Sequence, residues 1–163
     1  MKSAKAINIK RPVILIKALK DNTLAIIDSE TTIRYFNKDD LSLLSGFKLG
    51  VKHLRYKTDM VALSNNGEYI ATISADAQES RLYNAITKKA IAQVKRHHGE
   101  VNCVGIDPSH RYMFSCGDDG KTFAMDVQSG KFVFTLPIHT DTVNDIAFSA
   151  NSNWVATASY DTK

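Results

Sequence analysis

Four histidines, His97, His98, His110 and His139, lie close in sequence to aspartates or glutamates. Histidine beside a carboxylate is the pairing used for general acid–base transfer, and three or four such groups hold zinc. The spacing argues against both. There is no Cys-x-x-Cys and no His-Glu-x-x-His. Asp118-Asp119 resembles a metal pair, but it sits in Gly117-Asp118-Asp119-Gly120, a tight turn in which aspartate bonds backbone amides. No Gly-x-Ser-x-Gly elbow and no phosphate-binding glycine loop is present. Cys103 and Cys116 are placed symmetrically about Ser109-His110, so they face each other on neighbouring strands. They are expected as two reduced, buried thiols acting as small apolar groups. No catalytic residue, metal or cofactor is expected.

The composition fits a folded chain. Its 163 residues are 44% hydrophobic and 23% charged, enough apolar surface to offset the entropy of folding. The net charge of +4 is uneven. Lys2, Lys5, Lys10, Arg11, Lys17 and Lys20 occupy the first twenty positions without a single acid, and the remainder is slightly acidic. Such an arm suits nucleic acid or an acidic membrane. No aromatic residue lies among the lysines to stack on bases, so a solvated strand is the better reading. Val13–Ile16 is far too short an apolar run for a membrane span or a signal peptide. Two cysteines fit a reducing compartment. A cytoplasmic protein is expected.

The elements that hold these residues repeat. Met60–Ala75 aligns without gaps on the segments starting at Cys103 and Asp145, at offsets of 43 and 42 residues. In that register Tyr69, Tyr112 and Trp154 coincide, as do Asp76, Asp119 and Asp161. Each unit alternates short apolar strands with turn residues. Val101–Ile106, Tyr112–Cys116, Thr122–Val127 and Lys131–Leu136 are four strands of one unit. A degenerate first unit has strands at Val13–Leu19, Leu24–Ile27, Ile33–Phe36 and Leu41–Leu44. Four short strands repeating at this period form a blade that buries its faces only by stacking on other blades.

The residues His98, Val101-Asn102, Asp107, Gly117–Gly120 and Met125-Asp126 carry a resemblance, repeated more fully in His139, Val143–Ser149 and Ala156–Asp161. The sequence resembles the WD40-repeat β-propellers. The resemblance implies an all-β propeller segment of four-stranded antiparallel blades in an incomplete ring. A basic arm or closing strand over 1–12 precedes units at about 13–57, 58–97, 98–138 and 139–163, the last incomplete. Ala6–Lys10 is the candidate closing strand. The family's Trp-Asp pair is replaced by Phe36-Asn37, Tyr83-Asn84 and Met125-Asp126. The family's structural hydrogen-bond network maps onto Ser74, Asp76, His98, Asp119, His139, Ser159 and Asp161. In the second unit the histidine position falls on His53 or Arg55, and in the first Asp28 and Glu30 take the corresponding places. Asp59, Ala75, Asn102, Asp118, Asn144 and Tyr160 are the expected binding positions on one propeller face.

About three and a half blades against the family's usual ring of about seven leave three alternatives open: a fragment of a longer protein, a homodimer in which two copies complete the ring, or a naturally short or mispredicted product. The implied function is a protein-interaction scaffold that presents turns to a protein or peptide. An enzyme or accessory factor with its site in the missing half, or nucleic-acid association through the arm, are the alternatives.

Overall fold

The computed structural model describes residues 5–49 and 60–163, and among them every regular element but one turn at Met60 is a strand. Fourteen strands run in chain order: β1 (Val13–Ala18), β2 (Thr23–Asp28), β3 (Thr32–Asn37), β4 (Leu43–Lys48), β5 (Val61–Leu63), β6 (Tyr69–Ile73), β7 (Ser80–Asn84), β8 (Lys89–Val94), β9 (Val101–Ile106), β10 (Tyr112–Gly117), β11 (Thr122–Asp126), β12 (Phe132–Thr135), β13 (Val143–Phe148) and β14 (Val155–Ser159). They form antiparallel meanders β1-β2-β3-β4, β5-β6-β7-β8 and β9-β10-β11-β12 and a two-stranded sheet β13-β14. We call these sheets blades 1 to 4. The first strands of successive blades neighbour one another, β1 against β5, β5 against β9 and β9 against β13. The blades stack face to face in an open arc.

Stacking explains the burial pattern. All five residues of β6, Tyr69–Ile73, are buried, with no polar alternation, because both faces of a middle strand are covered. The outermost strands β4 and β12 are almost wholly exposed. One apolar cluster runs through the first three blades, with Ile27, Ile33, Ile70, Ile73, Leu82, Met113 and Val127 fully buried. A second, of Cys103, Cys116, Val143 and Ile146, joins blades 3 and 4.

The hairpins repeat in backbone conformation more faithfully than in residue type. The first turn of each blade carries a positive φ at Asn22, Gly67, His110 and Ser152; the second at Thr31, Ala77, Gly120 and Thr162. Only Gly67 and Gly120 avoid the roughly 1–2 kcal/mol that this conformation costs a side chain. Leu41 also adopts it, at φ 62°, with its N–H bonded to the Asn37 carbonyl. That turn delays the fourth strand, expected from Leu41, to Leu43.

Ala6–Lys10, the candidate closing strand, is unpaired among the described residues. One sequence expectation changes here. Cys103 and Cys116 are directly opposed, as expected, with Cα atoms 5.3 Å apart, but their sulfurs are joined as a disulfide where separate thiols were expected.

Candidate functional site

The acids and histidines come together where the second turn of a blade meets the segment leading into it. In blade 3 the β10–β11 turn presents Asp119, and the chain entering β9 lays the His97 ring beside it. His97 Nδ1–H donates to Asp119 Oδ1 at 2.9 Å. A carboxylate only accepts, so Nε2 is the free acceptor and takes the Ser115 hydroxyl at 3.0 Å. The ring is fully buried and packs on Phe123 at 4.6 Å between centroids. Burial opposes the charge on Asp119, but the His97 bond, the His98 amide and the Lys121 amide together hold its carboxyl below the usual range.

Blade 4 repeats this. His139 Nδ1 donates to Asp161 at 3.0 Å and Nε2 accepts from Thr157 Oγ1 at 2.8 Å. Asp161 also accepts the Thr140 and Lys163 amides. The Thr140 amide leads in holding its carboxyl well below the ordinary range. A constellation built twice from corresponding residues is a strut; a single reaction centre would not recur.

The predicted network needs two corrections. The imidazole in blade 3 belongs to His97; His98 contributes its backbone N–H to Asp119 Oδ2 and leaves its side chain exposed. A separation of 22 residues joins His97 to Asp119 and His139 to Asp161 alike, and that constancy was the sequence signal separating the adjacent histidines. The hydroxyl partners are Ser115 and Thr157; the predicted Ser159 and Ser74 play another role. Nδ1 faces the turn, so Nε2 points back along the strand and meets the residue two positions earlier. Ser159 Oγ instead donates to the Asp141 carbonyl, and Ser74 Oγ donates to Asp76 Oδ1. The position matching Ser115 in blade 2 is Thr72, whose buried hydroxyl has no partner among the described residues. His53, Arg55 and Asp59 lie outside the described residues.

Blades 1 and 2 use a lock the sequence reading missed. Asp28 is wholly buried and accepts from Arg34 Nη1 at 2.6 Å and from the amides of Glu30 and Thr32. Glu79, with a 6% exposed side chain, accepts from Arg81 Nε at 2.6 Å, from Gln93 and from Lys95. Burial disfavours both charges, and the cationic and amide donors overcome it, lowering both carboxyl pKa values. Arg34 pairs with Ile26, Arg81 with Thr72 and Phe123 with Ser115. Arginine thus occupies the strand position that the histidine-stacking phenylalanine fills in blade 3. An acid at the second turn with an arginine on the next strand was the available signal.

Among the predicted face residues, Asp118 and Tyr160 are exposed, and Ala75, Asn102 and Asn144 are half-buried. Asn102 and Asn144 are the extra residues of β-bulges in β9 and β13. Asn102 Nδ2 donates to Asp118 Oδ1 at 2.9 Å and to the Val143 carbonyl of blade 4 at 3.2 Å. Within the basic arm, Arg11 pairs with Glu30 at 3.1 Å, and Lys17 donates to the Leu63 carbonyl at 2.5 Å, where burial lowers its pKa. Among the described residues no three His, Cys, Asp or Glu converge as a metal-ligand set, and no helix is long and apolar enough to cross a membrane.

Comparison with known proteins agrees with this architecture. Residues 88–123 and 130–163 match the WD domain, G-beta repeat family. Eukaryotic translation initiation factor 3 subunit I of Vanderwaltozyma polyspora is 28% identical over 71 residues, 44% of this chain and 20% of the relative. Small ribosomal subunit protein RACK1 of Caenorhabditis elegans is 37% identical over 62 residues, 38% of this chain and 19% of the relative. A WD repeat-containing protein 53 homolog of Dictyostelium discoideum is 29% identical over 144 residues, 86% of this chain and 36% of the relative. The matched region thus spans less than two fifths of each of these relatives. Both His–Asp struts lie within the two segments, 88–123 and 130–163, that match the WD domain, G-beta repeat family.

Proposed function

We propose that this chain is a protein-interaction scaffold whose row of second turns and β-bulges meets a protein or peptide partner. The observation that carries it is that the recurring acids and histidines are bonded to one another as struts, while Asp118 and Tyr160 at neighbouring turn positions stay exposed. The relatives named as an initiation-factor subunit and a small-ribosomal-subunit protein are parts of larger assemblies, and membership of an assembly is the reading we extend to this chain. The units at about 13–57, 58–97, 98–138 and 139–163 would serve as the repeating frame.

A photo-crosslinking side chain placed at position 118 or 160, and for comparison at Ser152 at the other end of the hairpins, tests this in cells. Adducts with one discrete protein from 118 and 160, absent from 152, are expected. Equal labelling from both ends, or none from 118 and 160, overturns the assignment of that face.

A further inference from the structure

We propose that the cleft between blades 1 and 2, at the end of the first turns, is a second docking site, which takes an aromatic side chain of a partner's peptide with a carboxylate beside it. A cavity of about 400 Å³ opens there between two four-stranded blades, a size ordinary for a binding pocket. It lies at the opposite end of the hairpins from Asp118 and Tyr160, and two blades from Ser152. Either face can fail as a binding site without the other.

The repeat explains why the cavity exists. Tyr69, Tyr112 and Trp154 open the second strand of blades 2, 3 and 4, and in blade 1 that position is Thr23. Thr23 pairs with Asn37 as Tyr69 pairs with Asn84 and Tyr112 with Asp126. The Tyr112 ring packs edge-on against Phe114 and Phe134, on the face where Phe114 meets Phe148 of the next blade. Thr23 brings no ring, so the corresponding space facing blade 2 is left open. Tyr35 of β3 closes part of it, donating its hydroxyl to the Gly67 carbonyl at 3.3 Å, and forms one wall of what remains.

Two further positions depart from the repeat at the same cleft. Ser64, Asp107 and Ser149 accept the amide of the aromatic residue that follows in their blades. Blade 1 has Leu19 there, seated on Gly67, where a Cβ would come within 2.6 Å of it. On the β7–β8 turn Ile86 is 72% exposed. Asp39 and Gln128 hold its place in blades 1 and 3, each with its amide on the side chain two residues back, as in Ile86. Leu44 of β4, 54% exposed, adds to the same apolar lining. An aromatic ring entering between Leu19, Leu44 and Ile86 supplies what the blade itself lacks, and buried aromatic anchors dominate binding at protein surfaces.

Lys88 sets the chemistry beside the ring. It lines the cavity, makes no ion pair among the described residues and lays its ammonium 5.8 Å from the centre of the Phe47 ring. A carboxylate next to the entering ring meets that ammonium at the rim. Asp21, on the blade 1 side, offers acceptors to the peptide's amides.

The test titrates the full chain with three capped peptides, acetyl-Glu-Phe-Glu-amide, acetyl-Glu-Ala-Glu-amide and acetyl-Lys-Phe-Lys-amide, while NMR follows the methyl signals of Leu44 and Ile86. The first peptide should shift both signals saturably. The alanine peptide should bind at least about tenfold more weakly, and the lysine peptide several-fold more weakly. Thr23→Tyr restores the ring of the other blades and should abolish binding. Ile86→Gln, an exposed change to the residue of blade 3, should weaken it about fivefold with the fold intact. Lys88→Glu should reverse the preference between the two phenylalanine peptides. No saturable shift, equal binding of the alanine peptide, or unchanged binding in folded Thr23→Tyr or in Ile86→Gln overturns the site. An unchanged preference in Lys88→Glu overturns the carboxylate.

Discussion

Blades 1 and 2 and blades 3 and 4 solve one mechanical problem with different chemistry. In each, the second turn must be tied to the blade. Blades 3 and 4 do so with an imidazole between an aspartate and a strand hydroxyl. Blades 1 and 2 do so with a buried carboxylate and an arginine from the next strand. The backbone hardly registers the exchange, since the second turn holds a positive φ at Thr31, Ala77, Gly120 and Thr162 alike. The difference teaches that hairpin geometry and face-to-face stacking set the blade, and the polar lock is a replaceable part. Thr72 marks the substitution: it occupies the hydroxyl position of the histidine lock, without a partner among the described residues, in a blade that uses the arginine lock.

Asp28→Ala should produce the largest effect. It strands Arg34 in a mostly buried site, at a cost of about 2–4 kcal/mol. Hydrogen exchange should rise across β1–β4 first. A loss spread evenly over all blades would break the view that each lock serves its own blade. Asp119→Ala should come next, at about 1–3 kcal/mol, because the buried His97 ring loses its acceptor. Asp161→Ala should lower the melting temperature less, since the His139 side chain is 14% exposed where that of His97 is fully buried. Equal shifts for the two would place blades 3 and 4 on the same footing.

Acid should weaken both kinds of lock. Asp28, Glu79, Asp119 and Asp161 all have folded-state pKa values below their ordinary ones. Groups shifted down contribute stability above the unfolded value, near about 4, and lose it as pH falls through the folded value. The urea midpoint should hold from neutrality to about pH 5 and then drop progressively; a flat profile to pH 3 would contradict the lowered values.

The smallest effect is the sharpest comparison. Thr72→Val removes an unsatisfied buried hydroxyl and should be neutral or stabilising by up to about 1 kcal/mol. Thr157→Val removes the acceptor bond of His139 and should destabilise. Urea denaturation of the two variants reads the sign directly. The same sign for both would mean that Thr72 has a partner of its own.

The sequence alone determined the repeat, the all-β class and most strand positions, because apolar runs and turn residues are local signals read every 42 or 43 residues. It also identified Asp119, His139 and Asp161 as network members. The tertiary structure decided which of two adjacent histidines turns inward. A one-residue shift in the entering segment exchanges a buried ring for an exposed one, and composition is blind to it. Packing likewise selected Ser115 and Thr157 over the serines nearer the turns, since only the ring's orientation fixes where Nε2 points. Arg34 and Arg81 became locks because Asp28 and Glu79, six and two residues before them, are buried and need a cation within reach, and only the packing of the blades decides which acids are buried.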